Sequence, residues 1–210
     1  MKNIIAVDPQ NPDPSILTKA ASIIQNGGIV ALPTDTFYGL AVNPYNPTAV
    51  ERLFQIKGRH PSKPVILLID HVSKLEQLIE KESCSPLAEA IMERFWPGPL
   101  TLVLKKNAFL NKRITGGTQG IGIRLPDAAI PIGVIGRTGL PVTATSANRS
   151  GEKPATTAGK IKQTFGTALD LILDGGACED IPSTLLDLTG LRPTILREGK
   201  ITSSILEAFI

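Results

Sequence analysis

The sequence predicts an α/β layered domain built on a mixed, largely buried sheet. Helical patterns and short apolar runs of strand length alternate along the 210 residues, and runs of this kind are typical of strands covered by helices. With 42% hydrophobic residues, the chain is long enough to bury a core without disulfides or a structural metal. We therefore expect a single domain over residues 1–210, with a twisted mixed sheet flanked by helices.

In the first half of the chain, capping residues and glycines predict where the helices begin and end. Asp13-Pro14 and Asn46-Pro47 each combine an N-cap residue with a proline in the first helical turn. The elements expected here are, in order, a helix from Asp13 to Gly27-Gly28, a strand at Ile29–Leu32, a helix from Asn46 to Lys57-Gly58, a strand at Pro64–Ile69, a helix begun by a capping box of Ser73 and Glu76, and a helix from Ser85-Pro86 to the turn Trp96-Pro97-Gly98-Pro99.

The second half is predicted to consist mainly of strands. The elements expected are strands at Leu100–Leu104, Ile121–Leu125 and Pro141–Thr145, a helix at Thr157–Phe165, strands at Leu169–Leu173, Leu185–Leu188 and Thr194–Arg197, and a short helix at Ser203–Phe209. Glycines and prolines separate these elements, and we expect the turns that they shape to be fixed.

Composition excludes several classes of protein. Two cysteines, Cys84 and Cys178, are too few for a disulfide framework or a four-thiolate zinc site, and two histidines, His60 and His71, do not form an HExxH motif. No apolar run is long enough to span a membrane, and the first residues lack the apolar segment of a signal peptide. We expect a cytoplasmic, reduced protein with no membrane partner.

Charge is distributed unevenly although the formal net charge is only +3. The stretch from Arg94 to Pro126 contains six basic residues and no acid, whereas Gln163 to Leu191 contains five acids and no base. These stretches are either two separate solvated regions or the walls of a positively charged cleft that takes a polyanion.

Polar clusters follow several of the predicted strands, which is where α/β proteins place ligand sites. The first, 33–40 (PTDTFYGL), is either a turn that bonds its own backbone or a grip for a small polar ligand. The second, Lys57-Gly58-Arg59, either complements a helix dipole or, with the Pro61-Ser62-Lys63-Pro64 that follows, makes a loop able to clamp a triphosphate.

Two more clusters lie in the C-terminal half. Residues 143–151 (TATSANRSG) form either a hydroxyl-rich turn or a set of donors for an anion. The fourth cluster combines Pro182-Ser183-Thr184 with Arg197 and with Arg124, which alternates with apolar residues. A buried arginine needs an anionic partner, and either a structural or a substrate carboxylate could supply it.

Together these segments resemble the threonylcarbamoyl-AMP synthase family, whose domain is called YrdC-like. PTDTFYGL, KGR, FWPGPLTLVL, IGIRLP, TSANRSG, PSTLLDLTG and ILREG occur in the order and spacing of that family, over about residues 13–200. Some members carry an additional C-terminal domain, and this chain is similar to the single-domain form. The resemblance implies a YrdC-like fold with a positively charged cleft.

The resemblance also implies a reaction and a set of binding residues. L-threonine, bicarbonate and ATP, with Mg²⁺, would give threonylcarbamoyl-adenylate and pyrophosphate, and a tRNA threonylcarbamoyl transferase complex would use the product next to the anticodon. Lys57 and Arg59 would stabilise phosphate charge, and no residue would act as a covalent catalyst. The residues implied to bind threonine are Thr34, Arg124, Ala144 and Ser183, and those implied to bind ATP are Lys57, Arg59, Ser146, Asn148 and Arg197.

The chain departs from the family pattern at several positions. Many relatives read KxRPxxNPLIVHI where this chain reads KGRHPSKPVILLI, so that Leu68 replaces a histidine and His60 a proline. Pro154 stands where many relatives have the serine of an SPT motif, and Gly120 where a threonine is common. We expect one phosphate-binding hydroxyl to be missing at Pro154.

Two other functions remain open at this stage. The basic stretch Arg94–Arg124 could bind tRNA or double-stranded RNA weakly, although it contains no recognised RNA motif. A related enzyme could form a carbamoyl-adenylate for another acceptor, as hydrogenase maturation proteins do, but those proteins use accompanying domains.

Overall fold

The structure is a computed structural model that describes residues 3–107 and 110–210. Its helices are α1 (Pro14–Gln25), α2 (Pro47–Lys57), α3 (Pro86–Phe95), α4 (Lys112–Thr115), α5 (Ala129–Thr138), α6 (Ala158–Phe165) and α7 (Ser203–Leu206), with 3₁₀ turns at Val72–Gln77 and Lys81–Ser83. Its strands are β1 (Ile4–Ala6), β2 (Val30–Leu32), β3 (Gly39–Ala41), β4 (Leu67–Leu68), β5 (Leu100–Lys105), β6 (Gly120–Arg124), β7 (Val142–Thr143), β8 (Thr145–Ser146), β9 (Leu171–Asp174), β10 (Thr184–Asp187) and β11 (Thr194–Arg197).

The strands form two mixed sheets, where the sequence led us to expect one. The first sheet has the order β1-β9-β2-β3-β8 and the second β11-β10-β5-β6-β4-β7. The expected strand at Pro141–Thr145 is divided between them, because β7 pairs with β4 in the second sheet and β8 with β3 in the first. The short 142–146 segment therefore crosses from one sheet to the other.

Helix boundaries follow the predicted caps at α1, α2 and α3. Asp13, Asn46 and Ser85 each accept a backbone N–H of the first helical turn through the side chain. Helix α2 ends at Gly58, which has a φ of 58° and lies in the left-handed region. That ending matters for function, because it sets Lys57 inside the helix and Arg59 in the loop that follows.

The capping box predicted at Ser73 and Glu76 is wrong. The segment is a 3₁₀ turn rather than an α-helix, and its cap is His71, whose Nδ1 accepts the backbone N–H of Ser73 at 3.2 Å. The cap therefore lies two residues earlier than predicted, and it satisfies the backbone N–H of Ser73 rather than that of Glu76. The C-terminal helix is also shorter than expected and ends at Leu206.

Four of these helices and strands were not predicted: β1, β3, α4 and α5. Helix α5 contains Pro131, Gly133 and Gly136, which make it look like a loop. In the structure α5 packs against α1, and a Cβ added at Gly133 would lie 2.6 Å from Leu17 Cδ1. The glycine that lowers helix propensity is what allows the two helices to approach.

Two groups of buried apolar side chains hold the sheets and helices together. The smaller group joins α1 and α5 to the first sheet through residues such as Leu17, Ile24, Val134 and Leu173. The larger group fills the space between the sheets, α2 and α3. No helix in the described part of the chain is long and apolar enough to cross a membrane.

Candidate active site

A cavity of about 940 Å³ opens between the two sheets. Its walls come from β3 and β8 of the first sheet and from β4, β5, β6, β10 and β11 of the second. Gly39, Gly120 and Gly122 leave parts of these strands without side chains. Seven of the nine candidate residues line it: Thr34, Arg59, Arg124, Ala144, Ser146, Ser183 and Arg197.

Arg124 is 4% exposed and forms the polar centre of the cavity wall. Its guanidinium pairs with the Asp35 carboxylate and donates to Thr36 Oγ1 at 2.9 Å and to the Gly98 carbonyl at 2.9 Å. A structural carboxylate is therefore present, so one of the two partners left open by the sequence is found. A guanidinium has five N–H donors, and these three contacts leave two of them without a partner among the described residues.

Ser183 and Arg197 form a second polar group beside Arg124. Arg197 donates to the Ser183 carbonyl at 2.9 Å and to Ser183 Oγ at 3.2 Å. Ser183 Oγ also lies 2.8 Å from Thr101 Oγ1 across the β5–β10 pair. Burial, and then the nearby charge of Arg124, lower the pKa of Arg197.

The 33–37 turn is held by its own hydroxyls, which was one of its two predicted interpretations. Thr34 Oγ1 donates to the Phe37 carbonyl at 2.7 Å and accepts the backbone N–H of Thr36 at 3.1 Å. Lys200 donates to the Asp35 carbonyl at 2.8 Å and pairs with Glu179. The turn is thereby fixed with Thr34 and Thr36 facing the cavity.

Lys57 and Asn148 are the two candidates that do not line the cavity. Lys57 is 2% exposed, and its Nζ donates to the Ser146 carbonyl and, at 2.6 Å, to the Asn148 carbonyl. Burial, and then the charge of Arg59, lower the pKa of Lys57 from 10.5 to about 7. The Asn148 side chain donates to the Arg149 and Glu152 carbonyls at 2.9 and 2.7 Å. Both side chains therefore bond to the backbone of residues 146–152 and fix the shape of this segment.

Arg59 lies on the loop after α2, half buried at the edge of the cavity. Its guanidinium donates to the Lys63 carbonyl at 3.3 Å and to the Pro64 carbonyl at 2.7 Å. Burial lowers its pKa. The neighbouring His60 bonds Ser62 and does not line the cavity, whereas Leu68, Pro154 and Gly120, where the chain departs from the family pattern, do.

The charged residues of the cavity wall include several that sequence reasoning did not nominate. Lys153 joins the predicted arginines, and Asp180 and Asp187 bring carboxylates, whereas Lys63 comes from the loop that the sequence already offered as a triphosphate clamp. No local signal places Lys153, Asp180 or Asp187 at a cavity, so these three positions follow from tertiary structure alone. The positive cleft expected from the sequence stays a prediction.

Three of the six basic residues in the stretch Arg94–Arg124 are engaged by neighbouring side chains. Arg113 pairs with Glu51 and lies over the Phe54 ring, and Arg124 pairs with Asp35. Arg94 lies over the ring of Phe95, 5.4 Å from its centroid. Within the residues that the structure describes, no three His, Cys, Asp or Glu side chains are grouped to hold a metal.

The fold defines a class, α/β domains in which a cavity with charged and hydroxyl side chains opens between two mixed sheets, and comparisons with known proteins show which family this chain shares it with. The Sua5/YciO/YrdC family model, described as telomere recombination, matches residues 22–199. The chain belongs to this family.

Individual relatives agree with this assignment. A threonylcarbamoyl-AMP synthase of Pyrococcus abyssi is 38% identical over 193 residues, 91% of this chain and 56% of the relative. One of Bacillus subtilis is 38% identical over 200 residues, 94% of this chain and 57% of the relative. The crystal structure of P. abyssi Sua5 complexed with L-threonine superposes with a TM-score of 0.94 at 36% identity, covering 99% of this chain and 60% of that one. The chain thus spans little more than half the length of these relatives.

Proposed function

We propose that this protein makes threonylcarbamoyl-adenylate from L-threonine, bicarbonate and ATP, releasing pyrophosphate. The observation that carries the proposal is the cavity between the sheets, which gathers seven of the nine candidate residues from distant parts of the chain. The names of the relatives, and the L-threonine bound in P. abyssi Sua5, support it.

In the proposed reaction the threonine amine attacks CO₂ derived from bicarbonate, and the resulting carbamate oxygen attacks the α-phosphate of ATP. A bond forms between the carbamate oxygen and the α-phosphorus, the bond from that phosphorus to the bridging oxygen breaks, and pyrophosphate leaves. No covalent intermediate with the protein is needed. The contribution of the protein is to position the reactants and to stabilise developing charge.

We assign the threonine to the Arg124 side of the cavity. The two free N–H donors of Arg124 suit a carboxylate, Thr34 and Ser183 offer hydroxyls, and the backbone of Ala144 lies in the same wall. The nucleotide would lie along Arg59, Ser146 and Arg197. In this proposal Lys57 and Asn148 act indirectly, by shaping the segment that carries Ser146.

Mg²⁺ would enter as the complex with ATP. Mg²⁺ commonly keeps several waters and binds through substrate phosphates rather than through an all-protein cage. We further propose that the product passes to a tRNA threonylcarbamoyl transferase complex and that the protein works in the cytoplasm, where tRNA is modified.

Pyrophosphate release tests the proposal. The purified protein is incubated with Mg·ATP, bicarbonate and each amino acid in turn, and we expect release only with threonine. Arg124→Lys keeps the charge but loses the fork geometry, and it should raise the KM for threonine more than that for ATP. Arg137→Lys, an exposed substitution on α5, is the matched control. If none of the amino acids causes pyrophosphate release, the synthase is ruled out. Release with a different acceptor would favour the related carbamoyl-adenylate enzyme.

A further inference from the structure

The cations that the sequence nominates for phosphate binding are already engaged by the protein. Lys57 donates to two backbone carbonyls, and Arg59 donates to the carbonyls of Lys63 and Pro64. Arg197 is bound to Ser183. These contacts hold each side chain in place and leave only some of its N–H donors for a phosphate oxygen, so the three cations are better suited to fixed positions than to following a flexible triphosphate.

Two other cations line the same cavity and are free. Lys63 lies on the loop between α2 and β4, and Lys153 on the loop between β8 and α6. Both residues are exposed, and within residues 3–107 and 110–210 neither ammonium makes a hydrogen bond or an ion pair. A lysine ammonium is a compact charge on a flexible stem, so it can move to meet an anion.

Both lysines stand at or beside departures from the family pattern. Lys63 occupies the position of the asparagine in KxRPxxNPLIVHI, and Lys153 directly precedes Pro154, where many relatives have a serine. Pro154 also lines the cavity. A cation one residue away can supply the phosphate contact that the missing hydroxyl would have made.

The two carboxylates of the cavity wall also favour phosphate binding at the loops of Lys63 and Lys153. Asp187 lies on β10 and Asp180 just before it, so negative charge is concentrated on that wall. Repulsion from these carboxylates would direct the terminal phosphates of a nucleotide toward the loops of Lys63 and Lys153. Attraction by the lysines and repulsion by the carboxylates would thus both place the phosphates at these loops.

We propose that Lys63 and Lys153 form a second cationic subsite, at the loops bordering the cavity, which binds the β- and γ-phosphates of ATP and then the pyrophosphate product. This inference rests on the proposed function for the identity of the triphosphate, but the subsite itself is defined for any polyphosphate. The two lysines contact the leaving group only, so they are binding residues with no part in the attack on the α-phosphate.

Calorimetric binding of ATP, inorganic pyrophosphate and AMP tests the subsite. The variants are Lys63→Gln, Lys153→Gln and the double variant, and Lys160→Gln, an exposed lysine of α6 outside the cavity, is the control. We expect the affinities for ATP and pyrophosphate to fall about fivefold to tenfold for each lysine, with AMP unchanged. Lys63→Arg and Lys153→Arg should restore most of the loss.

The possible outcomes separate this inference from the proposed function. Unchanged ATP and pyrophosphate affinity in the double variant would overturn the subsite, as would an equal loss for AMP, which would indicate a general distortion of the cavity. If the wild type binds pyrophosphate through the lysines but releases none with threonine, the subsite stands and the synthase proposal fails. If it binds neither ATP nor pyrophosphate, both are wrong.

Discussion

At the scale of single residues, the buried pair of Arg124 and Asp35 links stability to function. The Asp35 carboxylate and the Arg124 guanidinium are both largely buried, so each depends on the other for compensation of its charge. The same guanidinium faces the cavity, where we place the threonine carboxylate. A substitution at either residue therefore changes folding and ligand binding together.

Arg124→Met should lower the free energy of unfolding by about 3–5 kcal/mol, because it leaves the Asp35 carboxylate buried without a counter-charge. The double variant Asp35→Asn/Arg124→Met should recover part of that loss, since both charges are gone. Urea unfolding of the two single variants and the double variant completes the cycle. Strict additivity of the three values would show that the pair is not coupled.

The lowered pKa of Lys57 predicts how the stability of the protein depends on pH. Its pKa is about 7 in the folded protein and 10.5 when unperturbed, so between these values the unfolded chain binds a proton that the folded chain does not. The free energy of unfolding contributed by Lys57 must then rise with pH across this window, by up to about 1.4 kcal/mol per unit. It should change little below pH 6.

The measurement compares wild type with Lys57→Met, which removes the titration but keeps most of the side-chain volume. Urea unfolding at pH 6, 7.5 and 9 should show the difference in unfolding free energy, wild type minus variant, increasing by about 2.7 kcal/mol from the lowest to the highest pH. A difference that is constant with pH would mean that Lys57 keeps its ordinary pKa when the protein folds.

At the scale of elements, the end of α2 decides where two candidate cations lie. Gly58 adopts φ 58°, and the backbone N–H groups of Gly58 and Arg59 bond to the carbonyls of Gln55 and Phe54. This left-handed C-cap stops the helix directly after Lys57. Lys57 then points behind the 146–152 segment, while Arg59 reaches the edge of the cavity.

Gly58→Ala should destabilise the protein by about 1 kcal/mol, through backbone strain alone. A Cβ at this position meets no atom within 4 Å, so sterics with neighbours do not contribute. Gly159→Ala is the matched control, because Gly159 lies in α6, has an equally open environment and does not have a positive φ. The control should be neutral or stabilising in urea unfolding, and equal effects at both positions would contradict the strain explanation.

At the scale of the whole molecule, the cavity exists because the two sheets are held at a fixed distance. The 142–146 segment contributes a strand to each sheet, and Thr143 Oγ1 connects it to β3 by donating to the Leu40 carbonyl at 3.1 Å. The larger apolar group packs between the sheets. Ligands that contact both sheets should therefore stabilise the whole domain rather than one loop.

ATP at 100 times its dissociation constant should raise the free energy of unfolding by about 2.7 kcal/mol. For a domain of this size that corresponds to a rise in Tm of roughly 5–10 °C. Thermal unfolding with Mg·ATP, with threonine and with both measures the effect, and Mg²⁺ alone is the control. No rise with any of these ligands would count against nucleotide binding in this cavity.

The sequence by itself determined the fold class, most helix boundaries and the family. Local physical chemistry controls these features, since an N-cap needs one side-chain oxygen and a strand needs one apolar run. Asp13, Asn46 and Ser85 cap their helices as predicted. The motifs also nominated residues that the structure brings into one cavity, although they are separated by up to 163 positions, from Thr34 to Arg197.

Only the tertiary structure decided the division into two sheets, the helix α5 and the state of each cation. Gly133 and Pro131 lower helix propensity locally, and packing against Leu17 overrides them. The sequence left the partner of Arg124 open, and Asp35, which lies 89 positions away, supplies it. The ammonium of Lys57 bonds two backbone carbonyls, whereas that of Lys63 has no partner among residues 3–107 and 110–210. The fold decides this difference, because no local pattern records where those carbonyls will lie.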